Sequence, residues 1–193
     1  MEKLKNVKGI IFDLDGTLLH SYLDFKWLRQ QLDCPQDVDL LTHIESMNED
    51  AKQRAVEIVK QHEIEDAEKA VWIDGADEFV DKLVASGMPT AIVTRNCREA
   101  TQIKLSNNRV PIDTVITRED GPAKPDPTTL IGLGEKWQIP SSDLVYIGDY
   151  LYDIQAAMRA DMIACLFAPG GVPDYAHLAD VVFSDYKELA NIL

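Results

Sequence analysis

The sequence predicts an α/β fold: a three-layer parallel sheet with a small all-helical cap inserted after the first strand. Three observations carry this. Six short, nearly continuous apolar segments read as strands buried on both faces: Val7–Phe12, Thr90–Thr94, Thr114–Thr117, Leu144–Ile147, Met162–Leu166 and Val181–Phe183. Helical stretches alternate with them, at Asp77–Ser86, Arg98–Asn107, Thr128–Trp137 and Leu151–Arg159, as in a sheet covered on both sides. The alternation breaks once. From about His20 to Val71 there is helical periodicity and no strand.

Taken in order, the first strand ends in Asp13-Leu14-Asp15-Gly16-Thr17. The helical insert follows. A first amphipathic piece surrounds Leu23, Trp27 and Leu32, and Pro35 ends it. Beyond it Val38, Leu41, Ile44, Ala51, Ala55 and Ile58 recur at or near three- and four-residue spacing among charged residues. The division expected is therefore a core of residues 1–19 and 72–193, with residues 20–71 as the cap. In such sheets ligands bind beyond the carboxyl ends of the strands, so an insert placed here would overhang the ligand.

Composition narrows the partners. The 193 residues carry a formal net charge of −14 with 46% hydrophobic residues, ordinary for a chain with a real core. Such a surface repels polyanions, which argues against nucleic acid or an anionic membrane as partner. A small anion must instead meet a local cation or backbone N–H groups. No apolar run approaches the ~20 residues of a membrane span, and Gly9–Phe12 is too brief for a signal peptide. Three dispersed cysteines, Cys34, Cys97 and Cys165, read as reduced thiols of a cytoplasmic protein.

The chemistry gathers at the strand ends. Asp13 and Asp15 would point to one side, about 6–7 Å apart if the strand continued, and like charges that close need a cation or a shared proton. One could attack as a nucleophile while the other moves protons, with Mg2+ neutralising a phosphate. Thr94-Arg95-Asn96 offers a hydroxyl and N–H groups to phosphate oxygens. Lys124, in the proline-stiffened loop Gly121–Pro127, could pair with phosphate and the attacking carboxylate together. Asp149 and Asp153 give hard oxygen ligands across a strand end and a helix start, which suits Mg2+. Each motif alone has a plain structural alternative; the ordered set of four is hard to produce by chance.

Those motifs resemble the haloacid dehalogenase superfamily, in the phosphatase branch that includes phosphoglycolate phosphatase and β-phosphoglucomutase. All four lie between Asp13 and Asp153, and the branch carries its helical cap where this insert lies. The resemblance implies a Rossmann-like core and a Mg2+-dependent phosphatase acting on a small phosphorylated metabolite. It implies that Asp13 forms an aspartyl-phosphate and that Asp15 protonates the leaving oxygen, then activates water. Asp13, the backbone carbonyl of Asp15 and Asp149 would hold Mg2+, with Asp153 close by. Thr94 would bind phosphate and Lys124 would balance charge around Asp13. Relatives often have Asn where Arg95 stands, so either Asn96 or Arg95 would complete the substrate contacts. Dehalogenase chemistry is disfavoured because Asp15 is present. The rivals are a phosphomutase using the same intermediate and a phosphate-binding regulatory domain without turnover.

Other features are set aside. His20, His43, His62 and His177 lack ligand spacing. Ile131-Gly132-Leu133-Gly134 is half a dinucleotide fingerprint without a preceding strand. Cys97 reads as an inert buried thiol, and Trp27, Trp72 and Trp137 as core. The acidic run Glu63–Glu68 reads as a solvated part of the cap. Arg29 and Arg54 are the cap residues proposed to meet substrate.

Overall fold

Ile10, Ile11 and Phe12 are wholly buried, and they place strand β1 (Gly9–Phe12) in the middle of the sheet. The computed structural model describes residues 2–190. Strands β2 (Thr90–Val93), β3 (Thr114–Ile116), β4 (Leu144–Gly148), β5 (Ile163–Phe167) and β6 (Val181–Phe183) join β1 in one sheet, ordered β3-β2-β1-β4-β5-β6. Every pairing is parallel, with Ile11 opposite Ala91 on one side and Tyr146 on the other. The expected fold class is therefore the observed one. Strand order reverses between β1 and β4, so a crevice opens at their carboxyl ends.

Side chains alternate across the sheet. Ile10 and Phe12 pack with Phe79 and Val80 of helix α4 (Ala76–Ala85) and with Tyr186 of α8 (Tyr186–Ala190). Ile11 faces the other side, with Leu130 and Leu133 of α6 (Thr128–Trp137) and Ile154 and Ala157 of α7 (Leu151–Arg159). The first strand starts at Gly9 rather than Val7, because the Val7 N–H closes a turn onto the Leu4 carbonyl.

Between β1 and α4 the insert forms three helices: α1 (Phe25–Gln31), α2 (Leu40–Glu45) and α3 (Glu49–Ala67). Asp24, Asp39 and Asn48 cap them, each accepting a backbone N–H three residues on. Leu28, Leu32, Leu40, Ile44, Ala55 and Val59 form a small core of their own. The sequence pattern placed Leu41 and Ile58 on this face. Ile58 packs half-buried against it, while Leu40 and Val59 take the fully buried positions, four residues before Ile44 and four after Ala55, and Leu41 lines the cavity. The ends of the insert meet side by side, the His20 N–H donating to the Val71 carbonyl at 2.8 Å.

Two expectations are corrected. The acidic run of α3 is not wholly solvated: Glu63 and Asp66 are buried. The C-terminal half of α3 lies along α5 (Arg98–Asn108), over the small surface of Cys97 and Ala100. There Glu63 meets Arg118 and Asp66 meets Lys104. Trp27 is not core either. It is 40% exposed and stacks on His62, whereas Trp72 and Trp137 pack partly buried against the main core. No helix among the described residues is long and apolar enough to cross a membrane.

Phe12→Ala removes a ring from the centre of the core and is expected to cost about 3–5 kcal/mol in urea denaturation. Val182→Ala, on the exposed face of an edge strand, is expected to cost about 1 kcal/mol or less. Similar losses for the two would contradict this placement of the core.

Candidate active site

Asp13 is the first residue beyond β1, held where its N–H reaches the Ile147 carbonyl of β4 at 2.8 Å. Adjacent parallel strands thus bring their ends together, and β4 delivers Asp149 and, one helical turn into α7, Asp153. Lys124 enters from the loop before α6. Its Nζ lies 2.5 Å from Asp13 Oδ1, 2.7 Å from Asp153 Oδ1 and 2.7 Å from the Tyr146 hydroxyl. The second oxygen of Asp153 accepts the Tyr150 N–H at 2.9 Å, fixing the start of α7. Asp149 accepts the Thr17 hydroxyl at 3.1 Å.

Two glycines make room for this crowding. Gly16 has φ +76° and turns the chain so closely under Asp149 that a Cβ would overlap its carboxylate. A Cβ at Gly148 would overlap the Asp153 side chain.

The donor set fits a divalent cation. Asp13, Asp149 and Asp153 each offer a carboxylate oxygen, all within 4.8 Å of one another. Hard oxygens at this spacing suit Mg2+ or Ca2+ rather than a soft metal. Three carboxylates against one ammonium also leave negative charge in a buried place, which a cation relieves. Without it, burial pushes the Asp13 carboxyl well above its usual value; Lys124 pulls it back, and Asp153 and Asp149 push it further up. Asp149 is pushed up to about 7, by burial first and then by Asp153.

Asp15 does not join this cluster. Its carboxylate turns to the ammonium of Lys104 and the amide of Asn96. Burial raises its pKa, and Lys104 opposes that rise. Lys104, on α5, is 0% exposed and also pairs with Asp66 at 2.6 Å. Asp66 in turn accepts the Ser21 hydroxyl and the Tyr22 N–H where the chain enters the insert. Thr94 is buried and lines the same cavity, with its Oγ1 accepting the Asn96 N–H at 3.1 Å.

The sequence-derived residues therefore come together with some partition. Asp13, Lys124 and Asp153, all buried, form one cluster with half-buried Asp149, and Thr94, Asn96 and Asp15 adjoin it. All seven, with Arg95, line a cavity of about 530 Å³ that the insert covers with residues including Leu23, Phe25 and Leu41. Arg95 points away from the cluster to Asp39 of the insert, 2.6 Å distant. Of the two cap arginines, Arg29 lines the cavity and Arg54 is exposed outside it. Cys97 caps α5, its thiol pushed up to about 11 chiefly by burial, as an inert cysteine should be. Lys104, Asp66, Glu63 and Asp39 were missed. A lysine at an apolar-face position of α5 was the one signal available for the first of them.

The sequence model of the family described as haloacid dehalogenase-like hydrolase matches residues 10–167. The chain belongs to this family. It is 29% identical over 177 residues to a haloacid dehalogenase-like hydrolase domain-containing protein of Arabidopsis thaliana, covering 86% of this chain and 72% of that one. An uncharacterized hydrolase of Saccharomyces cerevisiae is 24% identical across 100% of this chain and 94% of its own. Among solved structures, a hydrolase from Pseudomonas syringae superposes with a TM-score of 0.80 at 22% identity, over 95% of this chain and 96% of that chain. A predicted phosphoglycolate phosphatase from Haemophilus somnus gives 0.76 at 20% identity, over 97% and 98%. This haloacid dehalogenase-like hydrolase thus shares its fold with whole chains of similar length.

A raised carboxyl pKa in the folded state means that the ion-free protein loses stability as pH climbs from about 4 towards about 7, because the folded form must give up protons it holds more tightly than the unfolded chain. A divalent cation replaces those protons. The melting temperature gained on adding Mg2+ to EDTA-treated protein should therefore be larger at about pH 8 than at about pH 5.5. An equal gain at both would show that these aspartates do not hold the ion.

Proposed function

We propose that this hydrolase is a Mg2+-dependent phosphatase that cleaves a small phosphate monoester through a phosphoryl group carried on Asp13. One observation carries the reading: Asp13 lies at the floor of a covered cavity against the Lys124 ammonium, while Asp15, two residues on, has a separate counterion. Two carboxylates so close in sequence thus have two environments and can take two roles. The name of the Haemophilus somnus structure agrees with this chemistry.

Asp13 attacks phosphorus with a carboxylate oxygen as the bond to the leaving oxygen breaks, and Asp15 gives that oxygen a proton. Burial favours the protonated form of Asp15, as a general acid requires. Asp15 then takes a proton from water; the water oxygen attacks phosphorus, the bond to Asp13 breaks, and inorganic phosphate leaves. Thr94 and the backbone N–H groups of its loop receive the phosphate oxygens. Lys124 stays paired with Asp13 and Asp153 and keeps the nucleophile aimed. Asp13, Asp149, Asp153 and the Asp15 carbonyl would hold Mg2+, which when bound neutralises phosphate charge and favours ionised Asp13. Residues 20–71 serve as the cap that excludes bulk water.

Phosphate release should stop in excess EDTA and return with Mg2+. Asp13→Asn should form no covalent intermediate, since an amide does not attack phosphorus. Asp15→Asn should lose about 10²–10⁴ in kcat on alkyl phosphates and much less on p-nitrophenyl phosphate, whose leaving group needs no proton. Phosphorylated protein trapped from Asp13→Asn would falsify the assignment of the nucleophile.

A further inference from the structure

The organic half of the substrate must be read by groups other than those that hold phosphate, and the decisive ones are the cations. All five cationic side chains named in or around the cavity have partners, and four of them are held away from the organic half of a substrate. Lys124 is paired with Asp13 and Asp153, Lys104 with Asp15 and Asp66, and Arg118 with Glu63. Arg29 donates from Nη1 to the carbonyls of Pro35 at 2.6 Å and Val38 at 2.7 Å, so it clips together the connection between α1 and α2.

The fifth is Arg95, which stands at the cavity wall next to Thr94. Its Nη2 lies 2.6 Å from Asp39 Oδ2, and its guanidinium covers the Tyr152 ring at 4.7 Å. Both side chains of the pair are about a quarter exposed. Asp39 is not free to swing away. Its other oxygen, Oδ1, accepts the Thr42 N–H and the Thr42 hydroxyl, both at 3.1 Å, which makes it the N-cap of α2. Burial alone would raise its pKa, but Arg95 and Thr42 outweigh burial and hold it below the usual carboxylate value. Asp39 is therefore an anion throughout the neutral range.

Much of the remaining cavity lining is apolar or aromatic. Leu23, Phe25 and Leu41 come from the insert, Tyr150 and Tyr152 from the core. Phe25 and Tyr150 both line the cavity and are 58% and 54% exposed, so aromatic surface there is open to solvent.

We infer that Asp39 is a specificity-determining residue: by occupying Arg95 it selects phosphate monoesters whose organic part is uncharged and apolar or aromatic, and rejects phosphorylated acids. A substrate carboxylate would have to take Arg95 from a carboxylate already fixed by a helix cap. It would then sit beside that displaced anion, in a protein of net charge −14. An aromatic or alkyl group meets no such conflict and covers exposed apolar surface. This inference rests on the phosphatase reading above and goes past it to the class of leaving group.

The test compares two esters of equal shape and equal leaving group, 4-carbamoylbenzyl phosphate and 4-carboxybenzyl phosphate, with Mg2+ present. The wild-type protein is expected to favour the amide by about tenfold or more in kcat/KM. Asp39→Asn keeps a capping side chain on α2 but releases Arg95. It should move the ratio about tenfold towards the carboxylate ester. The double variant Asp39→Asn/Arg95→Gln should lose that gain, which a general loosening of the insert would not explain. Hydrolysis of both esters without preference by the wild type, or an unmoved ratio in Asp39→Asn, overturns the inference while leaving a phosphatase. No phosphate from either ester or from p-nitrophenyl phosphate overturns the phosphatase reading and the inference together.

Discussion

A single ammonium group between two carboxylates organises the core of this protein's site. Lys124 touches Asp13 and Asp153 at once, and the phenol of Tyr146 supports it from below. Parallel pairing of β1 with β4 forces Asp13 and Asp149 to converge, since both leave the sheet at the same edge. Burying several carboxylates at one place is unfavourable unless opposite charge is supplied. The lysine supplies one unit, the glycines at 16 and 148 allow the backbone to pass close enough, and a divalent ion fits what remains. The rest of the site is arranged around that compensation.

The residues legible in the sequence were those whose position depends only on strand ends. Asp13, Thr94, Asp149 and Lys124 stand at or near the carboxyl ends of strands, or in a proline-rich loop before a helix. A strand reader finds such positions because an apolar run stops abruptly at a polar residue. The helices α6 and α7 were bounded correctly for a similar reason, since Pro127, Gly148 and Asp161 punctuate them. The insert was legible as helical and largely in its facing, since Leu32, Ile44 and Ala55 are in its buried cluster and Val38 and Ile58 pack against it, whereas Leu41 turns to the cavity.

What could not be read is the docking of α3 along α5. Glu63 and Asp66 resemble their exposed neighbours Glu65 and Glu68, and only the approach of Arg118 and Lys104 from the core makes them buried ion pairs. Such pairs join residues 38 and 55 positions apart in sequence, and no local pattern encodes that. Arg95 is a similar case. Its place next to Thr94 suggested phosphate, yet a carboxylate from the insert claims it. The same contacts tie the insert to the core through charge, while its own apolar cluster is separate from the two that cover the sheet.

Lys104 has a consequence for how the energetics of this protein can be divided. One ammonium neutralises Asp15, in the candidate site, and Asp66, which holds the start of the insert. Removing either carboxylate strengthens the hold of the lysine on the other, so their individual free energies do not add and neither residue owns a fixed share. Any displacement of α3 relative to α5 alters the field at Asp15 by the same route. The charge balance at a core residue and the seating of a peripheral helix thus share one ammonium.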